Sequence, residues 1–409
     1  MSFLKSKKFL IILLIIGSVS LGIGLYLGFR GNNTKRIDNT KVIENKLNVN
    51  DKKASELNIN SGLLIGLGKD DSTYRTLWIS PENDQLKLKS QGDFILVPYG
   101  TDFWKIESKN ASYDGKWETE YNSYDESQKI DIRRISAHPA NQSFKWGNFN
   151  KKDFVDYRVY EDTNKLLFVG NKYVCLERYT YEDGGGTLRP WSRNIIVLEI
   201  NKLPQSPSLD ARGTLIGEEI DEIDNQVNIN RVSIKTILGK NIETTINKLF
   251  SEPVTEKEQG RMGSPYEEIS NSTNEFNWGI SRQNSKWVPV IAKQWNYSNA
   301  STGWTDYNLK NIPGFTLPKS VTTYDELNPS FENIKKVIPN AIDAVSSPTK
   351  DMLAVMTNDK LLVYTNPKKG LTKATLEIKL NGKESLIMAQ WATDDNVGKW
   401  DNEVEKYLK

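Results

Sequence analysis

The chain has 409 residues, 37% hydrophobic and 26% charged, and a mean hydropathy of -0.56, too apolar for a disordered chain and too polar for a multi-span membrane protein. Its 54 Lys and Arg against 52 Asp and Glu give a net charge of +2, without the basic excess of nucleic-acid binders, so nucleic acid is not an expected partner. One Cys excludes an intramolecular disulfide, and one His excludes any zinc site with two or more histidines; neither a metal nor a cofactor is expected.

Residues 1–8 form a basic tail carrying Lys5, Lys7 and Lys8. The uncharged stretch from Phe9 to Phe29 holds 15 apolar residues, 4 Gly and 2 Ser, and at 1.5 Å per residue it reaches about 30 Å, the thickness of a bilayer core. The spacing predicts a transmembrane signal-anchor over 9–29. The alternative is a secreted protein cleaved near Ser18-Val19-Ser20, but secretory apolar regions run only about 7 to 15 residues. A short basic tail stays inside and long domains translocate, so the body is expected outside the cytoplasm on a single-pass anchor; Arg30, Lys35, Arg36 and Lys41 keep the reverse orientation open. The first thirty residues hold four bases and no acid, which leaves 50 basic against 52 acidic residues, or -2, for the remainder.

Residues 30–60 are dominated by Asn, Lys, Asp, Thr and Glu, too little apolar surface to fold alone. They read as a disordered polar stalk spanning roughly 30 Å. The abundance of Lys, Asn and Ile suits an AT-rich bacterial genome.

From 61 to 409 the chain reads as a β-rich extracytoplasmic domain of short strands bounded by Gly, Pro, Asn or Asp. The predicted strands are Leu63–Leu67, Thr76–Ile79, Leu86–Lys89, Asp93–Pro98, Asp102–Glu107, Lys165–Val169, Tyr173–Tyr181 and Arg193–Ile200. Phe276–Ser281, Trp287–Tyr297, Leu353–Met356, Leu361–Tyr364, Ala374–Leu380 and Ser385–Trp391 follow. Aromatic and β-branched residues fill these runs, as half-buried pleated positions require. Helical spacing interrupts them in an interlude near 231–251, where Ile242, Ile246, Leu249 and Phe250 form one stripe, and again at Phe331–Ile338 before Pro339. A carboxyl-terminal helix is predicted near 394–408, capped within Thr393–Asp395 and docked on the β body through Trp400.

Ser347-Pro348-Thr349-Lys350-Asp351 followed by Met352–Val355, then a polar turn and Leu361–Tyr364, resembles a β-propeller blade of the TolB-like type; Ile79-Ser80-Pro81-Glu82-Asn83 is a weaker echo. The resemblance implies a mainly β, propeller-like body with a few short helices behind the anchor and stalk. At 40 to 45 residues per blade, Gly62–Trp391 suits about seven or eight blades, fewer with insertions. The alternative is two β-sandwich-like domains meeting near 205–260, divided at Lys202–Ser208.

Candidate chemistry is sparse. His138, in Ser136-Ala137-His138-Pro139, has no nucleophile elbow to serve and reads as a surface or turn residue. Cys175 reads as a small buried hydrophobe. Gly184-Gly185-Gly186 reads as a hairpin turn, since Thr187-Leu188-Arg189-Pro190 opens no helix. Glu218–Asn225 lacks the alternation of a calcium loop and reads as a solvated acidic face. No catalytic, cofactor or metal residue is assigned. The aromatic residues carry the signal. Trp278, Trp287, Trp295, Tyr297, Trp304 and Tyr307 gather in one region, and Trp117, Tyr121 and Tyr124 lie beside Glu118, Glu120 and Asp125. Aromatic faces stack on sugars or anchor proteins, so Trp304, Trp295 and Trp117 are the candidate ligand-binding residues, although most Trp in β proteins fill the core.

These features point to a membrane-anchored binding or scaffolding protein of a bacterial envelope, non-enzymatic, with a glycan or protein partner. The alternatives are a carbohydrate-active hydrolase using paired Asp and Glu, and an accessory subunit of a transport or signalling complex.

Overall fold

A computed structural model of the chain describes residues 59–115, 128–142, 159–182, 191–203, 230–251, 274–299 and 302–408. The anchor and most of the stalk lie outside these residues; among those described, no helix is long and apolar enough to cross a membrane.

The body is mainly β. Strands β1 (Ser61–Gly68), β2 (Tyr74–Glu82) and β3 (Gln85–Gly92) form an antiparallel sheet whose fourth strand, β17 (Ser385–Thr393), comes from the far end of the chain, in the order β17-β1-β2-β3. β4 (Ile95–Tyr99), β5 (Asp102–Gly115) and β6 (Gln128–Pro139) form one antiparallel meander. β7 (Val159–Val169), β8 (Tyr173–Glu182) and β9 (Trp191–Glu199) form a second, and β10 (Trp278–Gln283), β11 (Lys286–Asn299) and β12 (Thr302–Asn311) a third. Short parallel pairings of β6 with β7 and of β12 with β9 join all nine into one sheet. β13 (Asp343–Ser346), β14 (Met352–Met356), β15 (Lys360–Thr365) and β16 (Leu376–Lys379) complete a separate four-stranded sheet. Among the described residues, none of these sheets closes on itself. Because strands from both sides of residues 205–260 share the nine-stranded sheet, the division into two sandwiches does not occur there.

Local chemistry fixes the hairpins. Asn83-Asp84 and Asn284-Ser285 all have positive φ, and the registers Glu82↔Gln85 and Gln283↔Lys286 make both loops two residues long. These are the residue types and conformations that match the twist of the flanking strands. Gly279 lets β10 lie directly over β9: a Cβ there would stand 2.1 Å from Ile195 Cδ1.

β1 is buried on both faces, which explains its unbroken apolar run. Leu64 belongs to one core, together with Trp78 of β2, Ile95 and Leu96 of β4, and Val174 and Ile196 of β8 and β9. Leu63 and Ile65 face the opposite core, shared with Phe168, Cys175, Trp278 and Val363. A smaller cluster places Ile334, within the helix Phe331–Val337, against Leu353 and Val355. The helices are α1 (Ile234–Leu238), α2 (Glu243–Ser251), α3 (Phe331–Val337) and α4 (Asp395–Val404). α1 and α3 are capped by the Ser233 and Ser330 side chains. α4 is not: its N-cap Asp394 has φ 53 and no side-chain cap, and gives its backbone N–H to Asn60 O instead. Trp400 of α4 packs 5.8 Å from Trp78 and 5.3 Å from Phe103, ring centre to ring centre, while Asp401 accepts from Trp78 Nε1 at 2.7 Å.

The Ser-Pro turn performs a specific task. Ser347 Oγ accepts the N–H groups of Asp351 and Met352, and donates to Asp351 Oδ1. The carboxylate so held takes the N–H of Asn60 at 2.6 Å, and Ser61 and Thr349 share a hydroxyl hydrogen bond. The turn between β13 and β14 thus pins the start of β1. Ser80-Pro81 lies at the end of β2, ahead of the β2–β3 hairpin, so the two Ser-Pro sites are not equivalent in their sheets.

Arginine–carboxylate pairs recur where the strand groups meet. Arg75 of β2 holds Glu384 ahead of β17 through two 2.7 Å bonds. Arg134 of β6 holds Asp162 of β7 at 2.7 Å, with Arg178 on the other oxygen. Arg193 of β9 holds Asp306 of β12, and Arg282 of β10 holds Asp343 of β13.

Candidate functional site

β9 and β12 run parallel and pair only at Trp191↔Trp304 and Ser192↔Thr305 before they part. Tyr181 of β8 stands opposite Trp191, and Tyr297 of β11 opposite Trp304. Residues in register on neighbouring strands share a face, so positions 181, 191, 304 and 297 stand in one row across four strands. At about 4.8 Å per strand the row is roughly 14 Å long. It continues as Glu161 of β7 and Asp131 of β6, which gives it an acidic end. Two residues along, Tyr179 pairs with Arg193 and Trp295 with Asp306, placing a second row on the same face.

Where β12 leaves β9, a charged cluster closes the fork. Arg193 Nη2 donates to Glu177 Oε2 at 2.8 Å, and Nη1 to Asp306 Oδ1 at 3.1 Å. The Tyr307 hydroxyl donates to the same Glu177 oxygen, and the guanidinium carbon lies 5.1 Å from the Tyr307 ring centre, within range of a cation–π contact. Burial raises the Asp306 carboxyl above its ordinary value, with the Tyr307 N–H and Arg193 opposing. Burial, reinforced by the Glu177 charge, holds the Tyr307 hydroxyl firmly protonated. Glu177 and Asp306 therefore share one guanidinium, an arrangement that fixes the positions of donors and acceptors at the fork.

Of the candidates named from sequence, Trp304 stands in the first row and Trp295 in the second. Trp117, with Tyr121, Tyr124, Glu118, Glu120 and Asp125, lies outside the described residues, as do Gly184–Gly186 and Glu218–Asn225. His138 is not a surface residue: β6 runs through it, it is 5% exposed, and Nε2 meets Glu107 Oε2 at 3.0 Å. Cys175 is fully buried, accepts the Ile280 N–H, and is pushed up to about 12 by burial, which leaves it an unreactive thiol. Among the described residues no three His, Cys, Asp or Glu gather as metal ligands.

Sequence reading missed Arg193, Glu177, Tyr181 and Trp191. Their signal was present as period-two spacing: Glu177, Tyr179 and Tyr181 on β8, Trp191 and Arg193 on β9, Trp304 and Asp306 on β12. Comparison with known proteins finds no family model, no curated relative and no solved structure that matches this chain.

Proposed function

We propose that the protein is a membrane-tethered, extracytoplasmic binding module of a bacterial envelope, and that it engages an envelope glycan through the aromatic rows of the nine-stranded sheet. The row Tyr181–Trp191–Trp304–Tyr297 carries this reading: four consecutive aromatic positions on one face of adjacent strands suit stacking on successive sugar rings. The adjoining Arg193–Glu177–Asp306 cluster supplies polar groups of fixed direction for hydroxyls. The tether rests on the Phe9–Phe29 stretch. The propeller-like reading is supported by five successive antiparallel units, β17-β1-β2-β3, β4–β6, β7–β9, β10–β12 and β13–β16, with last and first strands paired. Among the described residues these units number five, fewer than the seven or eight that length alone suggests.

The test is retention of the full-length chain, in detergent, on purified cell-wall glycan. W304A and W191A are each expected to lose about tenfold in affinity, the worth of a stacking aromatic. Equal retention of both variants and the parent, or no retention of the parent, removes the glycan reading; recovery instead of one crosslinked envelope protein would move the partner to the protein class. Protease digestion of intact protoplasts tests orientation, and full protection of the body overturns it.

A second reading, a carbohydrate-active hydrolase, draws on two carboxylates held at one guanidinium beside those aromatic positions. It requires release of reducing ends from the same glycan, abolished in E177Q or D306N. Unchanged glycan after prolonged incubation eliminates it.

A further inference from the structure

On a different part of the body, a bowl of about 330 Å³ is lined by the β1–β2 turn, the start of β2, β5 and the β16–β17 turn. Arg75, 8% exposed, is on its lining. Nε and Nη2 of this arginine are committed to Glu384, and Nη2 also to Lys379 O at 3.2 Å. Nη1, with two N–H donors, has no hydrogen-bond acceptor among the described residues. A guanidinium has five donors and no acceptor, and Nη1 is not one of the buried atoms left without a partner, so its two donors are open to whatever occupies the bowl, solvent or ligand.

Lys69 stands on the same lining, close enough to Asp71 for its charge to be felt there. The acids nearby are already engaged or marginal. Glu384 is spent on Arg75, Asp71 turns to the Thr73 hydroxyl and N–H, and Asp70 to Lys165. Asp93 is exposed on the lining. Ser72, Ser108 and Asn110 bond to one another and to neighbouring backbone, which fixes the wall. Asn381, also on the lining, gives its backbone N–H to Glu384.

We propose that this bowl is a binding site for the oxyanion of a small polar ligand, a carboxylate or a phosphate, held by Arg75 Nη1 and Lys69 Nζ. Two cationic side chains on one lining, an arginine held in place by Glu384 and a flexible lysine, are the charge-assisted donors such groups take. The site is independent of the aromatic rows and of the membrane tether.

Titration calorimetry on the full chain in detergent micelles, at low ionic strength, tests it with inorganic phosphate, acetate and, as a neutral control, glycerol. One or both anions should bind saturably and glycerol should not; which anion binds tighter separates the phosphate source from the carboxylate source. Two variants that touch no hydrogen bond of the fold give opposite signs. Lys69→Ala should weaken the anion about tenfold, and Asp93→Asn should tighten it about two- to fivefold by removing a like charge. No saturable binding of either anion, equal affinity in both variants, or a reversed pair of signs overturns the proposal.

Discussion

The Asp351 carboxylate accepts the backbone N–H of Asn60 at 2.6 Å across 291 positions of sequence. It does so because Ser347 and Thr349 have already turned it, each donating to the other oxygen. Burial alone would raise this carboxyl; the hydrogen bonds from Ser347, Thr349 and Asn60 outweigh it and hold the group below its ordinary value.

Asp351→Asn should therefore cost about 1 to 2 kcal/mol in urea unfolding, the worth of a charge-assisted hydrogen bond. A carboxyl whose folded value is depressed stabilises above its unfolded value of about 3.9 and stops doing so as pH falls below it. The parent should lose stability below about pH 4, and the variant should lose less over the same interval. Identical acid limbs for the two would contradict this.

Asp162 is 1% exposed between Arg134 and Arg178. Burial pushes its carboxyl up, and the two guanidinium charges more than reverse that. Asp162→Asn removes the countercharge from two arginines and should cost about 3 kcal/mol, the lower end of the range for breaking a buried pair, since both arginines keep some contact with water. Equilibrium denaturation monitored by tryptophan fluorescence gives the value.

Two tyrosines should be silent in an alkaline titration. Tyr74 is pushed up to about 12 by burial, its oxygen accepting the Leu166 N–H, and Tyr307 is raised by burial and by Glu177. Ultraviolet difference spectra of the native protein up to about pH 11, past the ordinary tyrosine value near 10, should have the same amplitude in Tyr74→Phe and Tyr307→Phe as in the parent. Raised folded values stabilise below about pH 10 and cease to do so as pH climbs toward them, so both groups steepen alkaline unfolding.

Gly279 and Gly398 predict opposite signs for one substitution. Gly279→Ala drives a methyl to 2.1 Å from Ile195 and should cost about 1 to 3 kcal/mol. Gly398, inside α4 with nothing within 4 Å of a Cβ, should gain up to about 1 kcal/mol as Ala. Thermal unfolding of the pair reads both, and equal shifts would contradict the packing of β10 on β9.

The sequence pattern made most strands legible because their apolar residues alternate or run unbroken between turn residues. It hid β6, β12 and β13 for identifiable reasons. β6 carries Asp131, Arg133 and Arg134 in its middle, β12 has a single aliphatic residue, Leu309, and β13 is four residues long. Trp304 stood out as an aromatic in a polar segment. Its alignment with Trp191 did not, because parallel pairing of β9 with β12 depends on strands separated by the whole helical interlude. The arginine pairs are equally invisible from local pattern: Arg134 and Asp162 are 28 positions apart, Arg193 and Asp306 113, and Arg75 and Glu384 309.

The pairing of β17 with β1 sets the order in which the molecule can be made. A nascent chain emerges with β1 flanked by β2 alone, one edge of a strongly apolar strand unsatisfied, and stays so until Ser385–Thr393 leave the ribosome. Every chain interrupted before that point leaves the β1 edge opposite β2 without its partner strand.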